Sequence, residues 1–203
     1  MNQPPRPKSI LSTEYAENAS ALPVIYWPDK RLEMPCQDVE ESEFDDELKT
    51  FVVSMLMTMS AEDGVGLAAP QVGVLKNIIT ISIPLEMQLP TQGTETPETQ
   101  PVESPFVLIN PVIAESSIET FKWDEGCLSV PGYFEERERS REIIVDFYND
   151  DGKKHTEMFT GLYAFAIQHE IDHLHGKVFV EGLSRLKQDR IKKKIKKTLN
   201  RRM

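Results

Sequence analysis

The chain has 203 residues, 39% hydrophobic and 28% charged, which suits one globular domain with tails and a single sizeable core. Its longest apolar runs fall far short of the ~20 residues a membrane span needs, the N-terminus lacks a signal-peptide core, and two cysteines are too few for a disulfide framework; a reducing cytoplasm is expected, with neither membrane nor DNA as partner. The net charge of -10 is unevenly spread: residues 185–203 hold ten Lys/Arg against Asp189 alone, so a tail of +9 follows a body of -19.

In chain order, residues 1–23 show no periodicity and are expected to form a flexible arm. "FDDELKTFVVSMLMTMSA" spaces Phe44, Leu48, Phe51, Val52, Met55 and Met59 as an amphipathic helix, its methionines serving as core filler. "GVGLAAPQVG" reads as a glycine-rich loop, and "NIITISI", "FVLINPVI" and "SIETFKW" read as strands. Between the first two strands, residues 87–104 are rich in Pro, Thr, Gln and Glu and are expected to be a loop insertion. "REIIVDFYNDDGKKHTEMFTG" alternates around Asp-Asp-Gly as a β-hairpin. Strands outnumber helices and there is no internal repeat. The expected fold is α+β, with antiparallel or mixed sheets around a central helix, a further helix N-terminal to it and a C-terminal helix.

The central helix is "TGLYAFAIQHEIDHLHG", with Thr160 as a candidate N-cap and Gly176 as the residue just past its end. Leu162, Ala166, His169 and His173 fall on one stripe facing the interior. Residues four apart are separated by ~40° around the axis and ~6 Å along it, so both imidazoles can reach one ion. Glu170 lies ~100° round from His169, suited to a water beside the metal rather than to ligation. A single inward histidine is ordinarily a satisfied core residue, but two at this spacing around a glutamate point to metal. His175 and His155 suggest no role.

A hydrolytic metal usually has three protein ligands and one open position. The long metalloprotease motif would put a third histidine where this chain has Phe179, and neither Glu181 nor Asp189 is well placed. Cys127 in "WDEGCLSVPGY" is the best candidate upstream, since a thiolate suits zinc or ferrous iron. The residues alone leave it open whether Cys127 is a ligand or a buried packing thiol.

"GVGLAAPQ", "EGCLS" and "HEIDH", in this order, resemble the three signature motifs of peptide deformylases. The resemblance runs over residues 24–184, nearly the whole expected folded part. It implies a hydrolase that removes the N-formyl group from the initiator methionine of nascent polypeptides, using one divalent metal ion, natively Fe2+, with Zn2+, Ni2+ or Co2+ as substitutes in preparations. Carried across by position, Cys127, His169 and His173 are the ligands and Glu170 is the acid/base. Gln71 and the backbone N–H of Leu128 bind the formyl oxygen. Gly64, Val65, Gly66, Gly126, Tyr163 and Ile167 line the substrate site, where the peptide adds as a β-strand.

Three features depart from the family pattern: the arm before Leu22, the 87–104 loop, and Phe134 where some members carry arginine. A metallopeptidase shares the metal, water and glutamate, but "GVGLAAPQ" favours deformylation. A catalytically dead ribosome-binding protein would have lost its base or ligands, and all are present. The tail, 185–203, spaces Ile191, Ile195 and Leu199 along a helix with lysines on its other faces. A basic tail on an acidic body is expected to be drawn to a polyanion, and the resemblance to deformylases, whose C-terminal helix is associated with ribosome binding, implies ribosomal RNA near the exit tunnel as that partner.

Overall fold

The computed structural model describes residues 13–84, 87 and 105–202. Its helices are α1 (Thr13–Ala16), α2 (Asp46–Ala61), α3 (Gly161–Leu174) and α4 (Arg185–Arg202). Its strands are β1 (Gly66–Ala68), β2 (Ile78–Ile81), β3 (Phe106–Ser116), β4 (Thr120–Gly126), β5 (Phe134–Ser140), β6 (Glu142–Tyr148) and β7 (Lys154–Thr160). Every pairing between these strands is antiparallel. One sheet has the order β1-β2-β3-β6-β7, and β4 and β5 form a separate two-stranded sheet.

The expected α+β class stands. β2 is buried on both faces, which explains its unbroken apolar run. Ile79, Ile81 and Leu108 pack into one core with α3, and Ile78, Val107 and Ile109 pack into another with Leu48, Val52, Met55 and Met59 of α2. Asp45 caps α2 by accepting from the Leu48 N–H at 2.9 Å, so Phe44 lies outside the helix and packs on Tyr148 instead. The hairpin β6–β7 turns at Asn149–Gly152, where Asn149 Oδ1 accepts from the backbone N–H groups of Asp151 and Lys153.

Several details differ from expectation. The glycine-rich segment is not all loop, for Gly66–Ala68 forms β1 and Ala69–Val72 a 3-10 turn. β5, "FEERERS", has no apolar alternation to announce it, and its pairing with β4 is what makes it a strand. Thr160 does occupy the N-cap position of α3, but its side chain makes no capping hydrogen bond. Gly176 has φ 69°, and the His175 cap precedes it. Of the arm expected over 1–23, residues 1–12 lie outside the described residues. Beyond them the Ser20 and Leu22 N–H groups donate to the Ser54 and Thr58 hydroxyls of α2. The 87–104 insertion also lies, Met87 apart, outside the described residues.

The tail forms α4. Ile191 and Ile195 are buried against Trp27, Val130, Phe179 and Val180, with Leu199 partly buried beside them. Lys192 stands over the Trp27 ring, Lys194 donates to the Gly132 carbonyl, and Lys187 pairs with Glu135 at 2.6 Å. The helix is therefore part of the folded body along one stripe, while Lys193, Lys196 and Lys197 remain exposed.

Candidate metal centre and active site

α3 is apolar nearly all round, so packing buries it nearly all round; among its residues only Gln168 and Asp172 are not fully buried. That burial carries His169, Glu170 and His173 into the interior. Cys127 follows directly on β4, whose last residues Glu125 and Gly126 deliver it to the helix. The Sγ of Cys127 and a ring nitrogen of each histidine lie within 4.8 Å of one another. Cys127 Sγ is 3.1 Å from His173 Nε2, and the two imidazoles stand edge to face with centroids 4.8 Å apart. One thiolate and two imidazoles form a donor set that suits a divalent transition metal.

Glu125 is the residue that sequence reasoning missed. It is buried, with Oε1 2.7 Å from His169 Nδ1, while Arg139 on β5 donates to it from Nε at 2.7 Å and from Nη2 at 3.1 Å. Arg139 Nη2 also donates to Asp172 at 2.9 Å. Burial acts to raise the Glu125 carboxyl, but the bonds from His169 and Arg139 outweigh it and hold it at about 2. An ionised carboxylate only accepts, so His169 Nδ1 carries the proton and Nε2 is left for an ion. Burial likewise acts to lower His169, and its contacts with Cys127 and Glu125 raise it well above the ordinary range, so without an ion Nε2 holds a proton that a bound ion would displace. His173 is pushed well below that range by burial and by the charge of His169.

Removing the carboxylate in Glu125→Ala is expected to free the ring of His169 and weaken metal binding by ~10–100-fold, the usual effect of losing such a partner. Metal content after competition with a graded chelator series checks this; unchanged affinity would show the contact to be merely structural.

Glu170 is 4% exposed, and its Oε2 has no hydrogen-bond partner among the described residues. Burial pushes its carboxyl up to about 7; Glu125 adds to this, while His169 and Arg139 oppose it. Gly66 of β1 makes room for that carboxylate, since a Cβ there would meet Glu170 Oε1. Gln71 is buried in the 3-10 turn after β1. Its Oε1 accepts from the Ala68 N–H at 2.7 Å, and its Nε2 lies 3.2 Å from Ser129 Oγ and 3.4 Å from Cys127 Sγ. The segment before the first 3-10 turn ties both loops: Ile25 N–H donates to the Gln71 carbonyl and Trp27 N–H to that of Ser129.

Cys127, His169 and Glu170 border a cleft of about 510 Å³. Gly64, Val65, Gly66, Gly126 and Leu128 stand in the same wall. Tyr163 and Ile167 lie elsewhere: both are buried in the core against the large sheet and neither lines the cleft. Leu162, Phe165 and Ala166 face the cleft instead, with Trp123. At ~100° per residue, Tyr163 and Ile167 are one position round the helix from that face. Gln71 is not in the cleft wall either; it sits behind Cys127. His155 stacks on Phe147 in the hairpin, away from the site.

The sequence profile of the polypeptide deformylase family matches residues 21–189. The chain is 41% identical over 178 residues to a peptide deformylase of Bradyrhizobium diazoefficiens, covering 88% of this chain and 96% of that protein. It is 40% identical over 176 residues to a peptide deformylase of Neisseria gonorrhoeae, covering 87% and 95%. The crystal structure of peptide deformylase from Ehrlichia chaffeensis superposes with a TM-score of 0.77 at 39% identity, covering 88% of this chain and 97% of that one. A structure of the same enzyme in complex with actinonin superposes at 0.74, also at 39% identity, over 88% and 98% of the two chains.

Proposed function

This chain belongs to the polypeptide deformylase family and is a metal-dependent hydrolase that removes an N-formyl group; from that premise we propose that Cys127, His169 and His173 hold one metal ion, that Glu170 moves the proton, and that the formyl group is taken from the initiator methionine of nascent polypeptides. Membership decides against the metallopeptidase alternative. The observation that carries the residue assignment is one sulphur and two imidazoles converging within 4.8 Å, beside a cleft lined by Cys127, His169 and Glu170, whose buried Oε2 has no hydrogen-bond partner among the described residues.

A divalent ion bound there supplies Lewis acidity towards water and the formyl carbonyl, and a soft thiolate with two imidazoles suits Fe2+. Glu170 accepts the proton of the attacking water at its carboxylate and delivers it to the departing amine nitrogen. The Leu128 N–H donates to the formyl oxygen as it gains charge, and the Gln71 amide joins it by exchanging its 3.4 Å contact with Cys127 Sγ for that oxygen. Ala68 and Ser129 hold the Gln71 amide in place, and losing one such donor typically costs ~3–4 kcal/mol of transition-state stabilisation. The methionine side chain enters among Val65, Trp123, Leu162, Phe165 and Ala166. β1 and β4 each end a sheet, so the peptide backbone can add to those edges as a strand. Formate release from formyl-Met-Ala-Ser by iron-loaded protein prepared without oxygen tests the reading. Activity should decay in air with iron and persist with nickel or cobalt.

The ribosome is the partner proposed for α4. The +9 tail on a -19 body orients the protein towards a polyanion tail-first. Because Ile191 and Ile195 are buried, deleting the helix would uncover core beside Cys127, so the exposed charges are the better target. Reversing Lys193, Lys196 and Lys197 to Glu is expected to abolish ribosome co-sedimentation and leave turnover of a short formyl-peptide within about twofold. Wild-type binding should fall steeply with salt. Co-sedimentation that survives the triple reversal would reduce α4 to a structural helix.

A further inference from the structure

Phe134 is an unexplained feature of the cleft. It is 66% exposed, although a phenyl ring stabilises a fold chiefly when covered. It pairs in register with Gly126, one residue before Cys127, on the solvent face of the β4–β5 sheet. Its ring crosses that glycine: a Cβ at Gly126 would stand 2.5 Å from Phe134 Cε1 and 2.9 Å from Cδ1. The missing side chain thus lets the ring lie across β4 into the cleft wall, with its outer face open.

The charge around it is one-sided. Glu62, Asp63 and Asp124 line the same cleft besides Glu170, and among the described residues no lysine or arginine does. Asp124 and Glu136 are the next cross-strand pair on the face that carries Phe134. Lys122, on that face, is taken up by Glu136 at 3.2 Å. Arg137 and Arg139 point to the opposite face, where Arg139 is bound to Glu125 and Asp172.

We infer that Phe134, with the carboxylates of Asp63 and Asp124, sets the preference of this enzyme for the residue that follows methionine: apolar or aromatic side chains are favoured there and acidic ones are rejected. This rests on the deformylase reading. With the formyl group at Cys127 and the methionine among the residues of α3, the next side chain must pass the mouth of the cleft where Phe134 stands. An apolar side chain there covers the exposed ring, and an aromatic one can stack on it, a gain equivalent to roughly three- to tenfold in binding. A carboxylate there meets like charges and no lysine or arginine among the described lining residues, which disfavours it in a site walled partly by apolar side chains.

The test is kcat/KM for formyl-Met-Xaa-Ser with Xaa = Phe, Leu, Gly, Lys and Asp, using metal-loaded wild type, Phe134→Ala, Phe134→Tyr and Asp63→Asn/Asp124→Asn. Wild type should favour Phe over Gly by roughly three- to tenfold, chiefly through KM, and place Asp below Gly. Phe134→Ala should bring the Phe-to-Gly ratio close to one, and Phe134→Tyr should keep it, which separates loss of the ring from damage to the fold. The double Asn variant should raise the Asp-to-Gly ratio without moving the Phe-to-Gly ratio. A Phe-to-Gly ratio in Phe134→Ala equal to that of wild type, or a wild type indifferent to Xaa, overturns the inference. Absence of formate release by wild type from every peptide would instead overturn the deformylase reading.

Discussion

Glu170→Gln is expected to lower formate release by ~100-fold or more while leaving metal content unchanged. The amide keeps the shape of the carboxylate, so the room made by Gly66 is still filled, but it cannot accept a proton from water. The same substitution should stabilise the protein in the presence of a chelator. The Glu170 carboxyl sits at about 7 in the folded chain against an ordinary 4.5. Below pH 4.5 it is protonated in both states and costs nothing. As pH rises from 4.5 to 7 the unfolded chain ionises while the folded chain holds its proton, so stability drains away over that window and then levels off. The loss amounts to about 3 kcal/mol, and Glu170→Gln removes it. Thermal melts of both proteins at pH 4 and pH 8 should therefore converge at the lower pH and separate at the higher, with the variant more stable. More than a tenth of wild-type turnover in Glu170→Gln would sink the proton-transfer role. A melt difference independent of pH would sink the burial argument.

Cys127→Ser is expected to lose metal more severely than the ~10–100-fold typical of outer partners, because a neutral hydroxyl replaces a soft anionic sulphur. Sγ is the donor that β4 brings to the helix, 3.1 Å from His173 Nε2. The remaining histidines supply only two ligands from one helix face, too few to close a site with a single open position. Formate release should fall with the metal content. Undiminished stoichiometry after gel filtration and chelator challenge would remove Cys127 from the ligand set. The cysteine also accepts the Gln71 amide at 3.4 Å, so the substitution should loosen that donor as well.

The sequence by itself determined whatever depends on local period and short motifs. Helical spacing put His169 and His173 on one face with Glu170 beside it, and alternation or apolar runs marked β2, β3, β6 and β7. The order of three short motifs identified the family and joined Cys127 to the histidines across more than forty residues of chain. Tertiary structure alone decided the remainder, because each piece depends on partners far apart in sequence. Glu125 looked like one more acid in a charged strand; only pairing of β4 with β5 and packing against α3 set it between His169 and Arg139. β5 has almost no apolar residues, so no periodic signal marked it. Tyr163 and Ile167 lost their expected place in the pocket to Leu162, Phe165 and Ala166, since a helix buried nearly all round has no single apolar face to point to the cleft. The tail's stripe of Ile191 and Ile195 was visible in the sequence, but not that it closes over Trp27 and Val130 next to the cysteine loop. Periodicity shows which side chains share a face, and packing determines what that face meets.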